Sequence, residues 1–148
     1  MRSRVTRVAA LCLSLFLFMG VGSVSAQDKP FADKKVVLQI SDPNPFKQTL
    51  VLNVANNLLT HYGPDKVDVE IVAFGPGMRL LFAENENAGR INDLNTNGVK
   101  FSACNNTIKN MTKQLGKSPK LNSHAKVVPA GVVRILELTE AGYTLVKP

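Results

Sequence analysis

Cys104 is the residue of this sequence best suited to covalent chemistry. It follows the apolar run 99–103, and Asn105, Asn106 and Thr107 then begin a helical pattern. Backbone N–H groups at a helix start, together with the positive end of the helix dipole, stabilise a thiolate and lower the pKa of the thiol. Because the thiolate is the nucleophilic form, the sequence predicts a catalytic Cys104 supported by the three residues after it.

A buried, inert cysteine is the alternative interpretation of Cys104, because a free cysteine also behaves as a small apolar residue. The second cysteine, Cys12, lies in an N-terminal apolar run that we expect to be removed. Cys104 would then have no intramolecular partner, and a leftover thiol in an exported protein indicates intermolecular pairing or reactivity. Composition alone leaves both interpretations open.

The turn Gly75-Pro76-Gly77, with Arg79 after it, is the second candidate for ligand binding. Two glycines can offer backbone N–H groups to an anion, and Arg79 could hold a sulfur oxyanion or a persulfide near the thiol. A tight turn with an exposed arginine is the alternative. The spacing matches neither a P-loop nor a dinucleotide fingerprint, so we predict no cofactor.

Four further polar residues are candidates for parts of a site. Asp42 and Asn44 follow the first predicted strand and are expected at the same crevice as Cys104, although turn formation explains Asp42 equally well. His61 and His124 are the only histidines, and neither has a metal-ligand spacing to Cys104. No metal site is therefore predicted.

Residues 1–26 have the pattern of a secretory signal peptide. Three arginines precede an apolar run over residues 8–21, and small residues end at Ala26, where cleavage is expected. The run is shorter than the about 20 residues that a transmembrane helix needs. We expect a periplasmic or secreted mature chain without stable membrane insertion; an uncleaved N-terminal anchor is the alternative.

The mature chain has the size of one domain and a mild charge. Its 122 residues carry 15 basic and 11 acidic side chains, so the net charge falls from +7 to +4. The lysines that recur at helical or near-helical spacing are interpreted as a solvated face: Lys109, Lys113, Lys117 and Lys120. A nucleic-acid footprint would be denser and interleaved with aromatic residues, so no nucleic-acid partner is predicted.

Apolar runs and helical patterns alternate along the mature chain. Residues 27–34 are expected to be a flexible lead-in, and strands are predicted at 35–40, 67–74, 99–103, 126–128 and 143–146. Helices between them predict a flavodoxin-like, doubly wound α/β fold with a mostly parallel five-stranded sheet, in strand order 2-1-3-4-5. In that order the first and third strands are neighbours, which would place Asp42, Asn44 and Cys104 at one crevice.

Four segments of the chain form a recognisable set: VVLQIS at 36–41, FGPG at 74–77, VKFSACNNT at 99–107 and VPAGV at 128–132. They resemble the DsrE/DsrF-like family, in particular its small exported branch, over about residues 34–146. The resemblance implies one α/β domain at 35–148 and a homo-oligomer, trimer or hexamer. It also implies that Cys104 accepts a sulfane sulfur as a persulfide and passes it to a partner protein's cysteine.

Two classes of function stay open from the sequence. One is a sulfur carrier, or sulfurtransferase-like relay, that exchanges sulfur with a donor or acceptor protein. The other is a non-catalytic oligomeric binding or accessory module in which Cys104 only lines a crevice for a small anion; a redox-sensing thiol is a third reading. The export signal departs from the cytoplasmic sulfur-relay members, because an exported Cys104 would also face oxidation.

Overall fold

The computed structural model describes residue 29 and residues 31–148, in which strands and helices alternate. The strands are β1 (Lys34–Ile40), β2 (Val67–Ala73), β3 (Lys100–Cys104), β4 (Ala125–Val128) and β5 (Thr144–Val146). The helices are α1 (Pro45–Tyr62), α2 (Ala88–Thr96), α3 (Asn105–Leu115) and α4 (Gly131–Glu140), with a 3-10 helix (Gly75–Leu81) after β2. The predicted signal peptide, residues 1–26, lies outside the described part of the chain.

The five strands form one parallel sheet in the order β4-β3-β2-β1-β5. The predicted α/β class and parallel sheet are confirmed. The predicted order 2-1-3-4-5 differs from the observed one, because β2 lies between β1 and β3. Apolar runs show which segments are buried strands, but the pairing depends on long-range packing that periodicity does not encode.

Helices cover both faces of the sheet, as a doubly wound fold requires. Val36, Leu38 and Ile40 of β1 share one apolar cluster with residues of α1 and α2. Val37, which points the other way, packs with Val72 of β2 and with α4 through Ile135 and Leu138. The side covered by α4 is called the α4 face below. Among the described residues, α4 is the one helix that packs on this face.

The predicted helix signals are confirmed at α1 and α3. The Asn44 side chain accepts a hydrogen bond of 2.9 Å from the backbone N–H of Phe46, and Pro45 occupies the first position of α1. Gly63 closes the same helix with its N–H on the Leu59 carbonyl. Gly116 ends α3 with φ 71°, a left-handed conformation that favours glycine.

The segment before β1 is attached to the domain through Lys29 and through an ion pair of 3.6 Å between Asp33 and Lys66. The Lys29 amino group donates to the carbonyl oxygens of Pro64, of Val67 at 3.2 Å and of Asn97 at 3.4 Å. β1 itself begins at Lys34, one residue before the predicted strand. Within residue 29 and residues 31–148, no helix is long and apolar enough to cross a membrane.

Two acidic residues of β2 are buried on the α4 face. Glu70 is 1% exposed and forms a two-point pair with Arg134 of α4, with N···O distances of 2.8 and 2.7 Å. The Ser102 hydroxyl of β3 donates to the same carboxylate at 2.6 Å. Burying a charged group has a high desolvation cost unless the group is paired. The packing of α4 and β3 against β2 therefore depends on the hydrogen bonds of Glu70.

Asp68 forms the second buried carboxylate and is 2% exposed. One of its oxygens accepts from the Lys100 amino group at 2.9 Å and from the Tyr143 hydroxyl at 2.7 Å. The other oxygen has no hydrogen-bond partner within the described chain. Asp68 therefore links β2 to β3 and to the residue before β5.

Candidate thiolate site at Cys104

Cys104 occupies the junction of a strand and a helix, as predicted. It is the last residue of β3, it pairs in register with Val128 of β4, and it is the N-cap residue of α3. Its side chain is 5% exposed, yet it belongs to neither apolar cluster of the described chain. The sulfur is thus held in a polar setting near the carboxyl edge of the sheet.

Hydrogen-bond donors from two helix starts surround the Cys104 sulfur. Burial alone would raise the pKa of the thiol, but it is outweighed by the Thr107 hydroxyl and by backbone N–H groups. These N–H groups belong to Gly131, Thr107 and Asn106. The net effect lowers the pKa of Cys104 below its ordinary value, although no conventional side-chain capping bond is formed.

The predicted donors differ in what they contribute to this site. Thr107 acts through both its hydroxyl and its backbone, and Asn106 acts through its backbone N–H while its side chain lies exposed. Asn105 is the first residue of α3 and is half-buried. The structure therefore brings the segment 105–107 to Cys104 mainly as a helix start, and only Thr107 adds a side-chain donor.

Gly131 is a residue of the site that sequence reasoning did not select. A Cβ at this position would lie 2.9 Å from both Cβ and Cδ1 of Phe74, so only glycine lets the start of α4 come this close to the end of β2. The close approach brings the Gly131 N–H to Cys104. Its signal in the sequence was the Pro129-Ala130-Gly131 stretch before a helix, which gave no hint of the distant contact.

Gly75 supports Thr107 from the end of β2. The backbone N–H of Gly75 donates to the Thr107 hydroxyl oxygen at 2.9 Å, and Gly75 has φ 54°, a left-handed conformation. The hydroxyl accepts this bond and interacts with Cys104 through its own hydrogen. The Gly75 N–H is therefore used within the protein and is not offered to a ligand.

Gly77 serves close packing in the same turn. A Cβ here would lie 2.7 Å from the carbonyl carbon and oxygen of Ile40 and from Cα of Ser41. Because backbone atoms cannot yield as a flexible side chain would, glycine is required where the 3-10 helix crosses the end of β1. Gly77 is buried and positions the turn.

Asp42, Asn44 and Arg79 are not brought to the sulfur. Asp42 accepts a hydrogen bond of 2.9 Å from the Asn44 N–H, and Asn44 caps α1. Arg79 is exposed on the 3-10 helix, with its carbonyl bound to the side chain of Asn85 at 3.0 Å. Within the described chain, no contact joins any of these three side chains to Cys104.

The crevice expected between β1 and β3 is corrected by the strand order. β2 separates the two strands, so their ends lie two strand spacings apart, about 9–10 Å. The winding direction reverses at β1, between β2 and β5, and not beside Cys104. The case for a functional Cys104 therefore depends on the N–H groups at the starts of α3 and α4, and not on a topological switch point.

The two histidines lie away from the sulfur. His61 is in the last turn of α1, where its ring meets Tyr62 edge-on at 4.6 Å between centroids. His124 precedes β4 and so lies at the amino end of that strand, opposite the end that pairs with Cys104. Among the described residues, no group of three or more His, Cys, Asp or Glu side chains could hold a metal ion.

The chain around Cys104 is strongly basic. Residues 94–136 contain seven Lys or Arg residues and no Asp or Glu. Two of the seven pair with buried acids of β2: Lys100 with Asp68, and Arg134 with Glu70. The other five are exposed lysines without an ion pair in the described structure: Lys109, Lys113, Lys117, Lys120 and Lys126. The β3–α3–β4 half of the domain thus attracts anions.

Comparison with known proteins gives a structural relative without an established activity. No family model matches the chain, and no curated protein matches it. Among solved structures, the chain is similar to the protein of unknown function MTH1491 from Methanobacterium thermoautotrophicum, with 27% sequence identity and a TM-score of 0.70. The match covers 78% of this chain and 100% of that one. It supports the fold and leaves the function to be argued from the site.

Proposed function

We propose that this protein is a sulfur carrier that accepts a sulfane sulfur on Cys104 and passes it on as a persulfide. The observation that carries the proposal is the set of donors around the sulfur, which lowers the pKa of the thiol although the residue is buried. A thiolate is the form that attacks sulfur, so the site favours this chemistry at neutral pH. The resemblance to the DsrE/DsrF-like family is consistent with it.

The proposed loading step needs no cofactor. The Cys104 thiolate attacks the outer sulfur of thiosulfate; a new sulfur–sulfur bond forms on Cys104, the sulfur–sulfur bond of thiosulfate breaks, and sulfite leaves with its electron pair. The product is an anionic persulfide, so the donors that stabilise the thiolate can also stabilise it. In the unloading step an acceptor thiolate attacks the outer persulfide sulfur and Cys104 leaves as the thiolate.

The surroundings of Cys104 favour small anionic sulfur donors. The acid-free stretch 94–136 places five exposed, unpaired lysines on the half of the domain that contains the site. A field of one sign raises the local concentration of oppositely charged reactants. With a side chain that is 5% exposed, small inorganic donors are favoured over bulky ones.

A homo-oligomer in the periplasm, or outside the cell, completes the proposal. Apolar side chains are exposed on α4 (Val132 58%, Leu136 56%) and on the edge strand β5 (Leu145 44%, Val146 38%). An apolar surface of this kind is typical of protein–protein contacts. The location depends on the signal-peptide pattern of residues 1–26, and the oligomer is tested by light scattering of the mature chain, where a monomer alone would contradict it.

A binding module is the second candidate function, favoured by the burial of Cys104. A side chain that is 5% exposed can line a site for a small anion without reacting, since the same N–H groups would bind the anion directly. This candidate predicts binding of an unreactive anion such as sulfate to wild type and Cys104→Ser alike. The carrier predicts a covalent adduct that needs the thiol.

Intact mass spectrometry separates the two candidates. The mature protein is incubated with thiosulfate or with polysulfide and compared with Cys104→Ser. The carrier predicts a gain of one or more sulfur masses in the wild type, removed by a reductant and missing from the variant. If neither donor loads the folded wild type, while a denatured sample of the same chain does react with polysulfide, the carrier proposal is wrong.

A further inference from the structure

A second concave site lies on the α4 face, on the far side of Gly131 from Cys104. It is a cavity of about 310 Å³ between α4 and the strands β3 and β4. Its walls include Ser102, Lys126, Val127, Val133, Arg134 and Glu137. The volume is at the lower end of the range for small-molecule sites, about 300–1,000 Å³.

The cavity and the thiolate site are separate. Cys104 ends β3, whereas the cavity extends along the earlier residues of that strand from Lys100 to Ser102. Residues 128–130 form the cavity wall nearest to Cys104, and the N–H of the next residue, Gly131, points to the sulfur. Cys104 is not a lining residue, so a ligand in the cavity does not depend on the thiol.

The lining combines an apolar wall with a polar floor. Val127 and Val133 are 50% and 47% exposed and provide apolar surface at the opening. The floor holds the Glu70–Arg134 pair and the Ser102 hydroxyl, whose hydrogen bonds are made within the protein. A ligand with an apolar body can therefore pack on the valines without breaking this pair.

Lys126 is the cation that the cavity offers to an anion. The lining has three cations, Lys100, Lys126 and Arg134, but Lys100 is paired with Asp68 outside the lining. Arg134 pairs with both acids of the lining, with the buried Glu70 at 2.7 Å and with the exposed Glu137 at 3.6 Å, while Lys126 is exposed and has no ion pair in the described chain. The unneutralised cation at the opening is thus Lys126, within the acid-free stretch 94–136.

We propose that this cavity binds a small amphipathic monoanion, such as an aryl or alkyl carboxylate. The carboxylate lies near Lys126 and the apolar body packs against Val127 and Val133. A second copy of the chain is a poorer occupant, because an apolar surface laid over the opening would desolvate Arg134, whose side chain is 33% exposed, without adding a partner for Lys126.

Three probes of one shape test the ligand class. Phenylacetate, phenylacetamide and 2-phenylethylamine are titrated into the full mature protein and followed by two-dimensional amide NMR. Phenylacetate is expected to shift the amides of residues 126–134 with a saturable response, while the amide binds more weakly and the amine weakest. Equal responses to all three probes, or shifts confined to residues outside the cavity, would overturn the proposal.

Matched variants locate the site. Lys126→Gln is expected to weaken phenylacetate binding about twofold to fivefold, the range for an exposed ion pair, while Lys113→Gln on α3 leaves it unchanged. Val133→Phe fills the opening and abolishes binding, whereas Val132→Phe, on α4 but outside the cavity, keeps it. Cys104→Ser binds as wild type does. The assignment would be contradicted if Val132→Phe lost as much binding as Val133→Phe, or if Lys113→Gln lost as much as Lys126→Gln.

Discussion

The backbone N–H of Gly75 donates a hydrogen bond of 2.9 Å to the hydroxyl oxygen of Thr107, joining the end of β2 to the first turn of α3. This bond fixes the hydroxyl of Thr107, the one side chain among the described residues that lowers the pKa of Cys104 by hydrogen bonding. An N–H that donates to a hydroxyl also polarises it, which strengthens the bond that the hydroxyl donates in turn. The turn after β2 thereby acts on the sulfur without touching it.

Thr107→Val should raise the pKa of Cys104. Valine keeps the shape of threonine but removes the hydroxyl that stabilises the thiolate, and it leaves the Gly75 N–H without its acceptor. The loss of that bond should cost about 1–3 kcal/mol of unfolding free energy. The pKa is followed by the ultraviolet absorbance of the thiolate during a pH titration.

Thr112→Val is the matched control on the same helix. The Thr112 hydroxyl donates to the Ile108 carbonyl at 2.8 Å, within α3 and away from Cys104. The substitution Thr112→Val should therefore leave the pKa of Cys104 equal to that in the wild type. Equal pKa values for Cys104 in wild type and Thr107→Val would show that the hydroxyl does not act on the sulfur.

Cys104→Ser should reveal a pH-dependent contribution of the thiolate to stability. A lowered pKa in the folded state means that the unfolded chain binds more protons. The free energy of unfolding of the wild type therefore increases relative to that of Cys104→Ser as pH rises. The gain begins at the folded pKa and is complete above the unfolded value, about 8.5. Urea denaturation of both proteins at several pH values measures it.

The opposite trend would contradict the assigned direction of the pKa. If the difference between wild type and Cys104→Ser shrinks as pH rises through and above the ordinary pKa of a thiol, burial dominates and the folded protein favours the neutral thiol. A difference that stays constant with pH would show that the two states share one pKa.

Gly77→Ala should destabilise the domain, whereas Gly89→Ala should not. A methyl group at Gly77 would sit 2.7 Å from backbone atoms of Ile40 and Ser41, and such overpacking costs about 1–3 kcal/mol or more. At Gly89 in α2 nothing lies within 4 Å of the added carbon, and alanine favours a helix by about 0.5–1 kcal/mol. Thermal unfolding of both variants checks the contrast; similar melting temperatures would refute the packing role of Gly77.

Glu70→Gln should be destabilising, because it leaves the half-buried Arg134 with only the exposed Glu137, at 3.6 Å, as a charged partner. Removing one member of a buried pair costs about 3–5 kcal/mol. The double variant Glu70→Gln with Arg134→Met should recover part of this loss, since the unpaired charge is gone. Denaturation of the single and double variants gives the coupling free energy between Glu70 and Arg134. Losses of unfolding free energy that simply add in the double variant would contradict the coupling.

The elements of the fold could be read from the sequence because each follows a local rule. The buried run of β1 and the Asn44-Pro45 start of α1 are specified within a few residues, and so is the end of α3 at Gly116. The neighbours of each strand depend on long-range packing, and for this reason β2 was not expected between β1 and β3.

The site could be predicted only where chain neighbours build it. Cys104 and Thr107 are three residues apart, so a helix start at the end of a strand places them together. The contact of Gly131 with Cys104 depends on where α4 packs on the sheet, with its first residue directly against Phe74. No local sequence pattern encodes this packing. Glu70 was similarly unexpected, because a polar residue that alternates with apolar ones is typical of an exposed strand face.

The rate at which the folded protein reacts with a small neutral alkylating reagent, measured across pH, tests the reactive thiolate most directly. The lowered pKa of Cys104 predicts that, without any denaturant, the rate reaches half its maximum at a lower pH than in the denatured chain, whose thiol has the ordinary pKa of about 8.5. A chain that alkylates only after denaturant is added, or whose rate reaches half-maximum at or above the pH found for the denatured chain, would contradict a sulfur carrier built on this cysteine.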